Sequence, residues 1–139
     1  MGRLLGSFFF LRGAGERSHI SRLIPTLAYQ ISLSVPAVKP LLEKALEDEL
    51  ALLGVTVSLA HQLRRLIIEP IHLYTSRLFY SSEDVSRLVR KLIVVIDMLD
   101  ECDNKAEMAD FIDVLLSASS RGIHLPFQIL LTSWVEEHI

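Results

Sequence analysis

Hydrophobic positions along this chain form two kinds of pattern, unbroken runs and helical stripes, and the two alternate. The clearest run is Leu92-Ile93-Val94-Val95-Ile96, with no polar break before Asp97. A segment of strand length that is apolar on every residue predicts a strand buried on both faces, as in a parallel sheet covered by helices. Ser7-Phe8-Phe9-Phe10-Leu11 predicts a second strand, turned by Arg12-Gly13-Ala14-Gly15-Glu16, and Phe127 to Ser133 a third. Between the first two runs lies helical spacing. Ile20, Leu23, Ile24, Leu27, Ala28 and Ile31 share one stripe, with Ser18 placed as an N-cap and Pro25 expected to kink or break the helix. Val35-Pro36 ends that segment, and Val38, Leu41, Leu42, Ala45 and Leu46 mark the next amphipathic helix. Both stripes are read as core packing.

The pattern then weakens. Residues 47–58 carry no clear state, while Leu59, Leu63, Leu66 and Ile67 resume helical spacing into Glu69-Pro70-Ile71. Tyr74 to Ser82 reads as a loop or helix end, and Asp84 to Arg90 as a short helix. Asp103-Asn104 is placed to cap a helix whose stripe is Met108, Phe111, Ile112, Leu115 and Leu116, closed by Gly122. Strand, helices, strand, helix, strand is the order of an α/β parallel sheet with crossover connections.

Composition narrows the classes. With 139 residues, 50% of them hydrophobic and 22% charged, the chain suits one globular domain with its own core. A formal charge of −3 without a Lys/Arg cluster argues against nucleic acid. No apolar stretch reaches the length of a membrane span. The one cysteine, Cys102, cannot form an internal disulfide and suits a reducing, cytoplasmic setting; as a structural residue it is a small buried hydrophobe. The five histidines lie far apart, without metal-ligand spacing. Arg3 followed by Leu4 to Leu11 has some features of a short secretory signal, but Gly6 and the single preceding basic residue fit it poorly, and the strand reading is preferred.

Acids gather where the central run ends: Asp97, then Asp100 and Glu101. In open α/β sheets that end is where ligands sit. An Asp closing a buried strand, followed by an acidic pair, resembles the Walker B arrangement of P-loop NTPases. Leu5-Gly6-Ser7-Phe8-Phe9-Phe10 through Arg17, Pro25-Thr26-Leu27-Ala28-Tyr29-Gln30, Leu66-Ile67-Ile68-Glu69-Pro70 and Ile93 through Cys102 extend the likeness, and Leu130-Leu131-Thr132-Ser133 resembles a sensor 1 strand. The chain resembles a NACHT-type domain of the STAND branch, in its nephrocystin-type form abundant in fungal proteins. That resemblance implies a partial P-loop NTPase fold over residues 1–139, three-layered, with about three parallel strands flanked by helices and the Ile93–Ile96 strand in the middle. It also implies Asp97 as the Mg²⁺ carboxylate, Asp100 and Glu101 as acids near the hydrolytic water, and Thr132 or Ser133 on the phosphate side. Arg12, at the ligand side of the sheet, is read as a solvated surface arginine.

Two departures qualify the likeness. No G-x-x-x-x-G-K-[ST] occurs, so the phosphate cradle is expected to precede residue 1. Trp134 and Val135 stand where the family has Arg and Pro, and an indole cannot replace a permanent cation. The intact parent domain is expected to use Mg²⁺ with ATP or GTP as a switch controlling oligomerisation. This chain alone is expected to bind neither and to turn over no nucleotide. Two readings stay open: a fragment of a nucleotide-switched signalling protein, or a degenerate interaction module. A third, an unrelated secreted or structural protein, follows only if the start is a signal. Expected partners are further copies of the chain or other NACHT domains, engaged through the Phe127–Ser133 edge, which lacks Pro and Lys.

Overall fold

The computed structural model describes residues 3–13, 19–54, 57–78, 92–120 and 127–133. Three strands form one parallel sheet in chain order: β1 (Arg3–Phe9), β2 (Leu92–Asp97) in the middle, and β3 (Gln128–Leu131). Helices α1 (Leu23–Ser34), α2 (Lys39–Asp48), α3 (Leu59–Leu63) and α4 (Glu69–Leu78) connect β1 to β2, and α5 (Lys105–Ser120) connects β2 to β3. The expected α/β architecture, a three-stranded parallel sheet with helices packed on it and the Ile93 to Ile96 run central, is the one the chain adopts; the third layer expected with it is not among the described residues, whose helices share one face.

The strand limits differ at the first run. β1 begins at Arg3 and ends at Phe9, so Phe10 and Leu11 lie past its end. Phe10 is still fully buried, its ring 4.7 Å from that of Phe8, and its N–H donates to the Asp97 carbonyl at 3.1 Å. Aromatic content marked the buried end of the segment, not its length.

Nor is β2 buried evenly on both faces. Leu92, Val94 and Ile96 are buried, while Ile93, Val95 and Asp97 are half-buried. Crossovers of one hand place their connections on the same side when parallel strands follow one another in chain order. The covered face carries Gly6, Phe8, Val94 and Ile96, and it shares one core cluster with Leu23, Leu27 and Ile31 of α1 and with Met108, Phe111 and Leu115 of α5. On the other face Leu4, Phe9 and Leu130 are 53%, 44% and 55% exposed.

The contact between α1 and β1 is close because of one glycine and two polar side chains. The register between β1 and β2 shifts at Leu5, a bulge that leaves backbone groups outside the ladder. Gln30 Oε1 accepts from the Ser7 N–H at 2.6 Å, and Ser34 Oγ donates to the Leu5 carbonyl at 3.0 Å. Gln30 and Ser34 are one turn apart on α1, so a single helix face bonds two backbone groups of β1. A Cβ on Gly6 would meet Gln30 Oε1 at 2.9 Å and Leu27 Cδ2 at 3.4 Å. Glycine is what lets the helix come this near.

The helical stripes hold with local corrections. Ile20, Leu23, Ile24, Leu27, Ala28 and Ile31 are all buried. Pro25 does not break α1: it sits in the first turn, where its missing N–H has no intrahelical acceptor, and a 3-10 turn at Ile20–Arg22 leads in. Ser18 lies outside the described residues, as do Asp84 to Arg90, expected as a short helix, and Gly122. Within residues 47–58, α2 runs to Asp48 and a 3-10 turn spans Leu50–Leu53 with Leu52 fully buried. α3 and α4 are one helical run interrupted by a π turn at Arg64–Ile68, where the Glu69 N–H reaches back to the Arg64 carbonyl. Pro70 follows at once; its ring would clash with the carbonyl four residues earlier, and the wider turn relieves this. Tyr74 to Leu78 are therefore the end of α4, the helix-end alternative of the sequence reading, and residues 79–82 lie outside the described residues. In α5, Leu116 is the exception to its stripe at 63% exposed.

Gly6→Val should lower stability by about 1–3 kcal/mol through overpacking against Gln30 and Leu27. Urea denaturation monitored by circular dichroism checks it, and unchanged stability would show that α1 does not approach β1 this closely.

Candidate functional site

The chain leaves β2 through a residue that strains the backbone. Met98 has φ 59° and ψ 52°, the left-handed region, and no other described non-glycine residue has positive φ. For an L-residue this costs roughly 1–2 kcal/mol, so something must hold it. Thr132, just past β3, does so with four hydrogen bonds. Its N–H donates to the Ile96 carbonyl at 3.0 Å, and its carbonyl accepts from the Leu99 N–H at 2.9 Å. Its hydroxyl accepts from the Met98 N–H at 3.0 Å and donates to Asp97 Oδ1. Asp97 is thereby fixed at the carboxyl end of the central strand, half-buried, with no bond recorded to its Oδ2 among the described residues.

The following 3-10 turn, Leu99–Glu101, carries the other two acids. Ser133 Oγ approaches Asp100 Oδ1 at 3.5 Å, the outer limit of a hydrogen bond. Glu101 turns toward β1: its Oε2 accepts from the Arg12 N–H at 3.2 Å and lies 3.6 Å from Arg12 Nε. Arg12 Nη2 also donates to the Asp100 carbonyl at 3.1 Å, an oxygen that Lys105 Nζ contacts as well. The sequence reading of Arg12 as a solvated side chain is thus incomplete. It is 61% exposed, yet it ties the end of β1 to the turn after β2. No sequence signal marks this pairing, because the two residues lie 89 positions apart.

All five residues singled out in the sequence, Asp97, Asp100, Glu101, Thr132 and Ser133, therefore meet on one rim, at the carboxyl ends of the strands. Among the described residues no group of three acidic, histidine or cysteine side chains forms a metal cluster. The turn then hands the chain to α5. Asn104 Oδ1 accepts from the Glu107 N–H at 3.0 Å, the N-cap expected of Asp103-Asn104. Cys102 is buried, and loss of hydration is the main cause that pushes its thiol above its ordinary range. Trp134 and Val135 lie outside the described residues.

The fold and rim define an α/β protein with a parallel sheet and an acid-bearing edge at the carboxyl ends of its strands. Comparison with family models places it further: the model described as Nephrocystin 3, N-terminal matches residues 1–133, and the chain belongs to that family. No curated protein and no solved structure gives a match.

Thr132→Val should destabilise the chain by about 1–3 kcal/mol, because the Met98 N–H and Asp97 Oδ1 both lose their partner, while Thr132→Ser should stay near wild type. Equal losses in both variants, read by denaturant unfolding, would remove the hydroxyl from this account. For Cys102 the raised thiol means that the folded state holds its proton more tightly than the unfolded chain. Stability from this group is then full below the unfolded thiol pKa of about 8.5 and falls as pH rises past it. Cys102→Ala should flatten that alkaline decline, measured as unfolding midpoints across the range.

Proposed function

We propose that this chain acts as part of a NACHT-type, nucleotide-binding signal-transduction domain, in which ATP or GTP with Mg²⁺ biases assembly, and that it turns over no nucleotide by itself. The observation that carries this is Asp97, held by Thr132 at the carboxyl end of the central parallel strand. Family membership supports the same direction. Mg²⁺ takes one or two carboxylates from a protein and fills its octahedron with phosphate oxygens and water. Asp97 fits the protein's share of that set. The bound ion would neutralise phosphate charge, and Asp97 would orient it. Asp100 and Glu101 are the acids nearest any attacking water on this reading, although Glu101 is engaged by Arg12.

Absence of turnover rests on two sequence facts. There is no G-x-x-x-x-G-K-[ST] to cradle phosphates, and Trp134 stands where a phosphate-sensing cation is expected. Each such group is worth orders of magnitude in phosphoryl transfer. A cytoplasmic setting is part of the same proposal and rests on Cys102 being the sole cysteine; no helix among the described residues is long and apolar enough to cross a membrane.

One observation favours the second reading, an interaction module that binds further copies. Leu130 and Leu131 on β3 are 55% and 36% exposed, and among the described residues no strand pairs with the outer side of β3. An unprotected apolar edge invites another chain.

The two readings separate in one experiment on the purified chain. No tight binding is expected of the chain alone; at millimolar Mg²⁺ and ATP or GTP, weak binding should move backbone amide shifts around Asp97 to Cys102 and Thr132-Ser133, and Asp97→Asn should abolish the movement. No nucleotide should be hydrolysed. Shifts unaffected by Asp97→Asn, with concentration-dependent sedimentation that Leu130→Lys removes, would favour the interaction module. Turnover that Asp97→Asn abolishes would overturn the claim that the chain is inactive alone.

A further inference from the structure

The two edges of the sheet differ in whether they can take another strand. Both backbone groups of a strand residue face the same neighbour, and the direction alternates along the strand. Phe10 donates its N–H to Asp97 on β2, so Ser7, three residues earlier, faces outward from β1. That side is already occupied by α1: Gln30 accepts from the Ser7 N–H, and Ser34 donates to the Leu5 carbonyl. A strand arriving there would have to displace both side chains. On β3, Thr132 donates its N–H to Ile96, so Ile129 and Leu131 face outward. Among the described residues nothing bonds their outward N–H and C=O groups, and β3 has a neighbour on one side only.

The arrangement about Leu130 selects the occupant. Turned end for end, β3 presents the same groups in the same places, so Ile129 can exchange both N–H···O bonds with Leu131 of a second copy, and Leu131 with Ile129. Leu130 then stands opposite its own counterpart in a non-hydrogen-bonded pair, where Cα atoms are about 4.5 Å apart and side chains touch. It lies on the open face of the sheet at 55% exposed, so the contact takes a large apolar side chain of each copy out of water. Charge is compatible too: Gln128 to Ser133 carry none, so a copy meets no like charge along the strand. We infer that β3 is a dimerisation edge, at which two copies join antiparallel about a two-fold axis at Leu130 and merge their sheets into one. This rests on the interaction-module reading above and names its partner and its limit. With α1 along the edge of β1, the described residues leave no second open edge for a third copy, and assembly stops at two. The contact is short, so the dimer is a weak one.

Sedimentation equilibrium of the whole chain, in a series that reaches millimolar concentration, should level off at twice the chain mass. Leu130→Lys and Leu130→Glu each set like charges opposite one another across the axis and should weaken self-association about tenfold. Both replace an exposed side chain and should keep the wild-type circular dichroism and unfolding midpoint. Mixed in equal amounts, the two variants should dimerise again, and salt should weaken the mixed dimer more than the wild-type one. That rescue requires residue 130 to meet itself. In the unaltered chain, hydrogen exchange at the Ile129 and Leu131 amides should slow as concentration rises, which needs no variant to fold. Growth beyond a dimer, a mixture no more associated than either variant alone, or exchange at Ile129 and Leu131 indifferent to concentration would each overturn the two-fold edge. If the chain self-associates and neither variant matters, the interaction reading stands and the β3 dimer falls. A chain that stays monomeric throughout the series removes both.

Discussion

Thr132 joins what would otherwise be two separate strand ends. Its backbone extends the β2–β3 ladder by one residue, and its hydroxyl bridges the Met98 N–H and the Asp97 carboxylate. Without it the left-handed turn at Met98 keeps only the bonds of its own 3-10 turn against the strain, and Asp97 Oδ1 loses its hydroxyl donor. The position of every acid after Asp97 depends on that turn. Leu99, buried behind it, then starts the 3-10 segment that aims Asp100 and Glu101.

A second tie acts from the other side. Arg12 gathers Glu101 with both backbone and side chain, so β1, which meets β2 only through its ladder elsewhere, is also fastened at its carboxyl end. In this pair Arg12 is largely exposed and Glu101 half-buried, and ion pairs at the surface contribute little to stability. Its consequence is geometric: it brings a cation to a rim whose other charges are mostly acidic. Glu101 held this way serves as an anchor for Arg12.

Packing on the covered face follows from the same economy of contacts. Gly6 admits α1, and Gln30 and Ser34 bond backbone groups of β1, so one helix both covers the sheet and serves its edge strand. The opposite face keeps large apolar side chains half in water at Leu4, Phe9 and Leu130. That exposed face is why an unbroken aliphatic run did not translate into even burial.

Much of this was determined by the chain itself. The aliphatic run at 92–96, the stripe from Ile20 to Ile31 and the acids after Ile96 fixed strand type, helix faces and the location of the rim, because periodicity and strand polarity are local properties that survive in any packing. Asn104 as a cap and Cys102 as a buried hydrophobe were legible for the same reason. Tertiary structure decided the rest. Phe10 and Leu11 read as strand although the ladder stops at Phe9, since only pairing with Asp97 sets the end. Pro25 read as a break, yet its place in the first turn makes it harmless, and that depends on where the 3-10 turn before it stops. Arg12 meeting Glu101, Gln30 meeting Ser7 and Thr132 meeting Asp97 are contacts between residues 89, 23 and 35 positions apart. No spacing rule encodes such pairs. They exist because parallel strands bring their carboxyl ends to one edge, where distant polar groups must find partners or be left without them.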